Sequence, residues 1–136
     1  MILGVGIDVV HLGGFREQLG EPGTNFAEGT FTAGELRTAK SRPGDDMAPH
    51  LAVRYAAKEA FVKAWSSARR GLAPTFGGLD LREIEIVNDA WKRPAIRLHG
   101  RVAGAAESLG VGNAHVSLSH DEPFAAATVI LERVEQ

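Results

Sequence analysis

The chain has 136 residues, a formal net charge of −2, and 44% apolar and 24% charged residues. That length suits one compact domain, residues 1–136, burying roughly two-thirds of its unfolded surface. The charge balance excludes a generally basic nucleic-acid binder, and the lack of cysteine excludes thiol nucleophiles, thiolate zinc sites and disulfides. Met1 to Val10 is apolar without a basic leader region and is interrupted by Asp8, which argues against a signal peptide. The longest late apolar run, Phe124 to Leu131, is too short to cross a bilayer. A cytoplasmic protein with no membrane association is expected.

In chain order, Ile2 to Val10 alternates bulky residues with glycine and predicts a strand with Asp8 near its end. His11 to Gly14 turns into a short helical pattern over Phe15 to Leu19, and Glu21 to Asn25 is a loop. Thr32 and Glu35 have capping-box spacing, so a helix starts there. Ser41 to Asp46 breaks the pattern, and a long helix follows over Pro49 to Ala68. Val53, Ala57, Ala60, Phe61 and Ala64 form its core-facing stripe. A loop holds Gly71 to Asp80, including Pro74 and the Gly77-Gly78 pair. Glu83 to Val87 alternates as a strand, and Pro94 to Leu98 is its return. Val102 to Leu109 reads as a helix ending at Gly110. Two last strands, Ala114 to Leu118 and Phe124 to Leu131, join across Ser119 to Pro123 as a hairpin. The architecture is α+β: a mostly antiparallel sheet of about five strands packed on one long helix plus shorter helices.

Between Leu51 and Thr75, five bases (Arg54, Lys58, Lys63, Arg69 and Arg70) stand against Glu59 alone. This segment is either a solvated helix face with one Glu59–Lys63 pair or an anion site. Asp8 is costly to bury unless paired or metal-bound; it caps the following turn or ligates a cation. Hard divalent cations accept one or two carboxylates plus water and phosphate oxygens, so Asp8 and Glu59 form a candidate pair. His120 is either a hairpin histidine or a functional group at a strand end. Ser119, His120 and Asp121 are adjacent and cannot form a hydrolase triad. No histidine pair has zinc-helix spacing, and Gly4-x-Gly6 lacks the third glycine of a dinucleotide fingerprint.

Gly6-Ile7-Asp8, the run Arg54-Tyr55-Ala56-Ala57-Lys58-Glu59-Ala60-Phe61-Val62-Lys63-Ala64, and Ser117-Leu118-Ser119-His120-Asp121 closely resemble, in order and spacing, motifs of the bacterial holo-acyl-carrier-protein synthases. These form the short trimeric branch of the 4′-phosphopantetheinyl transferases. Phe31-Thr32-x-x-Glu35 is similar to the segment after that family's first loop. The resemblance implies transfer of phosphopantetheine from coenzyme A to a serine of acyl carrier protein, releasing adenosine 3′,5′-bisphosphate. It implies that Asp8 and Glu59 hold magnesium, with manganese as the alternative, and that Glu59 helps deprotonate the serine. Lys63 would meet the diphosphate, Arg54 and His120 the 3′-phosphate, with Lys58 and Ser119 as further coenzyme A contacts and Asp121 as a further acid–base participant. It also implies a homotrimer with active sites between subunits. An acidic carrier needs exposed bases, for which Arg16, Arg37 and Arg42 are candidates. One departure is Gly14, where the family usually carries an arginine. A metal-free coenzyme A hydrolase of thioesterase type and a non-catalytic coenzyme A-binding module are the alternatives.

Overall fold

The computed structural model describes residues 1–74 and 78–134. Chain order is β1 (Ile2–His11), α1 (Leu12–Gly20), α2 (Phe26–Thr30), α3 (Ala33–Lys40), α4 (Ala48–Ala68), a 3₁₀ turn (Leu81–Glu83), β2 (Ile84–Asn88), β3 (Pro94–Leu98), α5 (Gly100–Leu109), β4 (Val111–Asp121) and β5 (Phe124–Arg133). The five strands are antiparallel, as expected, and divide into two sheets: β1-β5-β4 and the β2-β3 ribbon. Gly77 of the glycine pair lies outside the described residues. No helix among the described residues is long and apolar enough to cross a membrane.

Local chemistry sets most boundaries. Pro49 stands in the first turn of α4, where its missing N–H costs nothing. Thr32 and Glu35 form the full reciprocal box at the start of α3. Gly110 ends α5 at φ 88°, a left-handed cap that glycine adopts without a Cβ penalty. Most elements run a residue or more past the expected bounds, and β4 and α2 depart furthest. β4 extends to Val111 and Asp121 because its ladder with β5 continues past the apolar stretch. The unforeseen α2 carries Phe26, whose ring packs against Phe15, Phe31 and Tyr55.

The long helix α4 lies across the inner face of the three-stranded sheet, and small residues set how close it comes. On β1 the inward residues include Gly4 and Gly6, both buried, and on β5 Ala125 and Ala127. A Cβ at Gly6 would overlap the Ala60 carbonyl oxygen, and one at Gly4 that of Ala64. β1 therefore rests directly on the backbone of α4.

Arg54 and Lys58, expected on a charged side of α4, are buried instead. The reason is that α4 is covered twice, by the sheet and by α3 with β2. Lys58 is fully buried and donates to Glu35 Oε1 (2.8 Å), Leu81 O (2.9 Å) and Ile84 O (2.6 Å). Glu35 also accepts from Thr32 N and Ile86 N, both at 2.9 Å. All three ammonium protons are used, so the expectation that Lys58 contacts coenzyme A is corrected: it pins α4 to α3 and β2.

Two stability predictions follow from this packing. Gly6→Ala should cost about 3 kcal/mol, because backbone rather than a movable side chain blocks the methyl; a thermal melt should show a drop of about 10 °C. Lys58→Met should cost about 3–5 kcal/mol in denaturant unfolding by stranding the Glu35 carboxylate, and an unchanged midpoint would refute that role.

Candidate active site

The close approach of β1 and α4 brings together residues far apart in sequence. Lys63 Nζ donates to Asp8 Oδ1 and to Ile7 O, each at 3.0 Å. Glu59, one turn before Lys63, is close enough for the Asp8 charge to act on it. Its carboxyl is pushed above the usual carboxylate range, first by burial and next by Asp8. A side-chain hydrogen bond from Tyr55 and the Lys63 charge oppose the shift. Burial and these two carboxylates push the Tyr55 hydroxyl up in turn. The cap alternative for Asp8 falls away, because α1 is capped by His11, whose Nδ1 accepts from Gly14 N at 3.3 Å.

Asp8 and Glu59 are thus within electrostatic reach of one another, with Lys63 bonded to Asp8. Among the described residues no cluster of three or more histidine, cysteine or acidic side chains could hold a metal. The donor set suits a hard cation that keeps several water or phosphate ligands, as magnesium does, and does not suit a closed protein cage. Mutual repulsion and burial, visible in the raised Glu59, are what such a cation would relieve.

A second feature lies elsewhere on the chain. A cavity of about 480 Å³ is bounded by the α3–α4 loop, the start of α4, the tip of β2-β3 and β4. Arg42, His50, Arg54, Lys92, Ser117 and His120 line it. Arg54 is 6% exposed and donates to His50 O at 3.0 Å. Burial pushes Arg54 down to about 10, Glu35 opposing and Arg42 adding to the shift. Burial, then Arg54 and Arg42, push His50 down to about 4. Crowded, desolvated positive charge of this kind is relieved by a bound anion.

The expected residues are therefore distributed over two places. Asp8, Glu59 and Lys63 meet at the β1–α4 contact; Arg54 and His120 share the basic cavity. Ser119 does not line that cavity. It sits in the cross-strand row of Ala126 and Val9, while Ser117 takes its place at the wall. Asp121, exposed at the end of β4, is also outside the cavity lining. Sequence reading missed Tyr55, His50 and Lys92, and offered Arg42 to the carrier rather than to this cavity. Tyr55 stands four residues before Glu59, a spacing that puts both on one helix face; His50 and Lys92 gave no local signal.

Arg16 is a correction of another kind. Its guanidinium reaches Asp46 Oδ2 (3.0 Å from Nε) and Glu122 Oε1 (2.6 Å from Nη2). Both acids hold it far above its usual value. A base already shared by two carboxylates is not a free counterion for a carrier, which leaves Arg37 and Arg42.

Comparison with known proteins decides the family. Residues 4–129 match the model of the 4′-phosphopantetheinyl transferase superfamily. The chain belongs to that superfamily. Within it, the chain is 48% identical over 131 residues to the holo-[acyl-carrier-protein] synthase of Mycolicibacterium smegmatis, covering 96% of this chain and 97% of that protein. It is 44% identical over 133 residues to the Corynebacterium glutamicum protein of the same name, covering 96% and 98%. Among solved structures of the superfamily, the ACPS–CoA complex of Chronobacterium ammoniagenes is similar at a TM-score of 0.85 and 40% identity, covering 97% of this chain and 98% of that one. The Bacillus anthracis holo-(acyl-carrier-protein) synthase in complex with CoA (3′,5′-ADP) is similar at 0.74 and 30%, covering 98% and 99%.

Proposed function

We propose that this transferase-superfamily chain moves the 4′-phosphopantetheine group of coenzyme A onto a serine of an apo-acyl carrier protein, releasing adenosine 3′,5′-bisphosphate. The observation that carries the reading is the meeting of Asp8, Glu59 and Lys63 at the β1–α4 contact. The names of the relatives and the coenzyme A held by two similar structures support it.

Each side chain has a part that its position suits. A divalent cation, magnesium or manganese, held by Asp8 and Glu59 would neutralise diphosphate oxygens and leave the phosphorus open to attack. Lys63, tethered by Asp8 and Ile7 O, offers its remaining proton to the same oxygens. The serine hydroxyl oxygen forms a bond to the phosphorus that carries the pantetheine. The bond from that phosphorus to the bridging oxygen breaks, and the electron pair leaves with the adenosine bisphosphate. Glu59, raised in basicity by its burial, takes the serine proton directly or through water. Arg54, Arg42, Lys92 and His120 hold the nucleotide phosphates in the basic cavity.

The reading includes a homotrimer with sites between subunits. One copy carries the carboxylates and the basic cavity in different places, so a neighbour's cavity completes the site. The outer face of β1 supplies an apolar surface for assembly: Val5, Ile7 and Val9 are 51%, 58% and 59% exposed. They pair with Ile130, Thr128 and Ala126 of β5, so the patch is continuous across two strands, and exposed patches of this kind mark interfaces. With Arg42 given to the nucleotide, Arg37 is the one of the three candidate bases left for an acidic carrier.

Asp8→Asn and Glu59→Gln should each lower loading about 100-fold or more while the fold persists. Intact-protein mass spectrometry of apo-carrier incubated with coenzyme A and magnesium reads the result, and full loading by both variants would sink the proposal. Manganese affinity, followed by electron spin resonance without carrier, should fall in the same two variants. Val5→Glu, which leaves Asp8 and Lys63 untouched, should convert the trimer to monomers in sedimentation; an unchanged trimer would remove the outer face as the interface.

A further inference from the structure

Arg16 stands where three separate segments meet, and one of them forms a wall of the basic cavity. Its Nε and Nη2 both reach Asp46 Oδ2, at 3.0 and 2.9 Å, and Nη2 reaches Glu122 Oε1 at 2.6 Å. Asp46 belongs to the α3–α4 loop and lines the cavity with Arg42, Pro43, Gly44 and Met47. Its other oxygen accepts from Ala48 N at 3.1 Å, fixing the carboxylate at the start of α4. Glu122 lies in the β4–β5 turn, two residues from His120 on the opposite wall. The start of α1 is tied to the same turn, because Leu12 N donates to Pro123 O at 2.9 Å. The guanidinium is therefore delivered to its two acids by a helix anchored one turn earlier.

A carboxylate in the wall of an anion pocket is a paradox of charge. Asp46 cannot turn away, being held by the helix start, and it would repel any phosphate brought in beside Arg42 and Arg54. We propose that Arg16 is a positioning residue for nucleotide binding, masking the Asp46 charge while holding the α3–α4 loop against the β4–β5 turn. This rests on the reading of the basic cavity as the nucleotide site. The contribution to folding is small, because exposed ion pairs stabilise little. The contribution to binding is larger, since the masked charge and the ligand's phosphates share one cavity and act over a few ångströms. Arginine suits the task where lysine would not, since its planar fork can meet two carboxylates at once.

The test is calorimetric titration of adenosine 3′,5′-bisphosphate into the full-length protein. Wild type should bind, and Arg54→Ala should weaken binding; if wild type does not bind, the cavity reading fails and takes this inference with it. Given wild-type binding, Arg16→Gln should weaken affinity about tenfold at low salt, with a melting temperature within about 2 °C of wild type. The deficit should shrink at 0.5 M salt, where the Debye length falls to about 4 Å and part of the repulsion is screened. The double variant Arg16→Gln/Asp46→Asn should recover most of the loss, because the repelling charge is gone while the side-chain oxygen at Ala48 N is kept. Unchanged affinity in Arg16→Gln overturns the proposal, as does a loss that Asp46→Asn does not repair. If Arg16→Gln does not fold, Asp46→Asn alone decides: affinity within threefold of wild type supports masking, and a tenfold loss overturns it.

Discussion

The closeness of β1 to α4 governs the rest of the molecule. Because Gly4 and Gly6 put no Cβ between the strand and the carbonyls of Ala60 and Ala64, the strand lies on the helix backbone. Two residues later on the same inward face, Asp8 arrives within hydrogen-bonding distance of Lys63 and within electrostatic reach of Glu59. A larger residue at either glycine would lift the strand and separate the carboxylates. The packing requirement and the chemical requirement are one constraint, which is why glycine and aspartate stand two apart in Gly6-Ile7-Asp8.

Positive charge on α4 is divided by depth into three uses. Lys58 is spent inside, with every proton bonded. Arg54 is buried but faces a cavity, where lost solvation lowers it and makes an anion welcome. Lys63 is more than half exposed and reaches back to Asp8. A single helix thus supplies a structural pin, a lining residue of the basic cavity and a partner for the Asp8 carboxylate. The choice among them depends on which neighbour covers each turn.

Much of this was legible in the sequence, and the reasons for the exceptions are physical. The capping box, the proline at the start of α4, the glycine ending α5 and the two hairpins are local signals, and each formed, the last hairpin with a tighter turn than expected because β4 runs on to Asp121. The convergence of Asp8 and Glu59 could be posed from sequence but not settled, since nothing local says which strand face meets which helix turn. Lys58 looked like Arg54 and Lys63 because helical spacing does not report a second layer of cover. Arg16 looked free because its partners, Asp46 and Glu122, are 30 and 106 positions away. Ser119 and Ser117 differ by one alternation step, and only the cavity wall separates them. The division of five strands into two sheets was likewise invisible to periodicity, which sees strands but not their neighbours.

The two halves of the proposed site explain each other only if copies assemble. In the proposed function a cation goes to the carboxylate end, the nucleotide phosphates go to the basic cavity, and the two join across neighbouring copies. The apolar outer face of β1 and β5 offers the surface on which copies would meet. The central claim is that Asp8 and Glu59 clamp one divalent ion against a diphosphate. Crystals grown with coenzyme A and manganese test it most directly, through the anomalous scattering of the metal. The account predicts a manganese peak between the carboxylates of Asp8 and Glu59, in contact with diphosphate oxygens; a bound diphosphate with its manganese away from both carboxylates would contradict it.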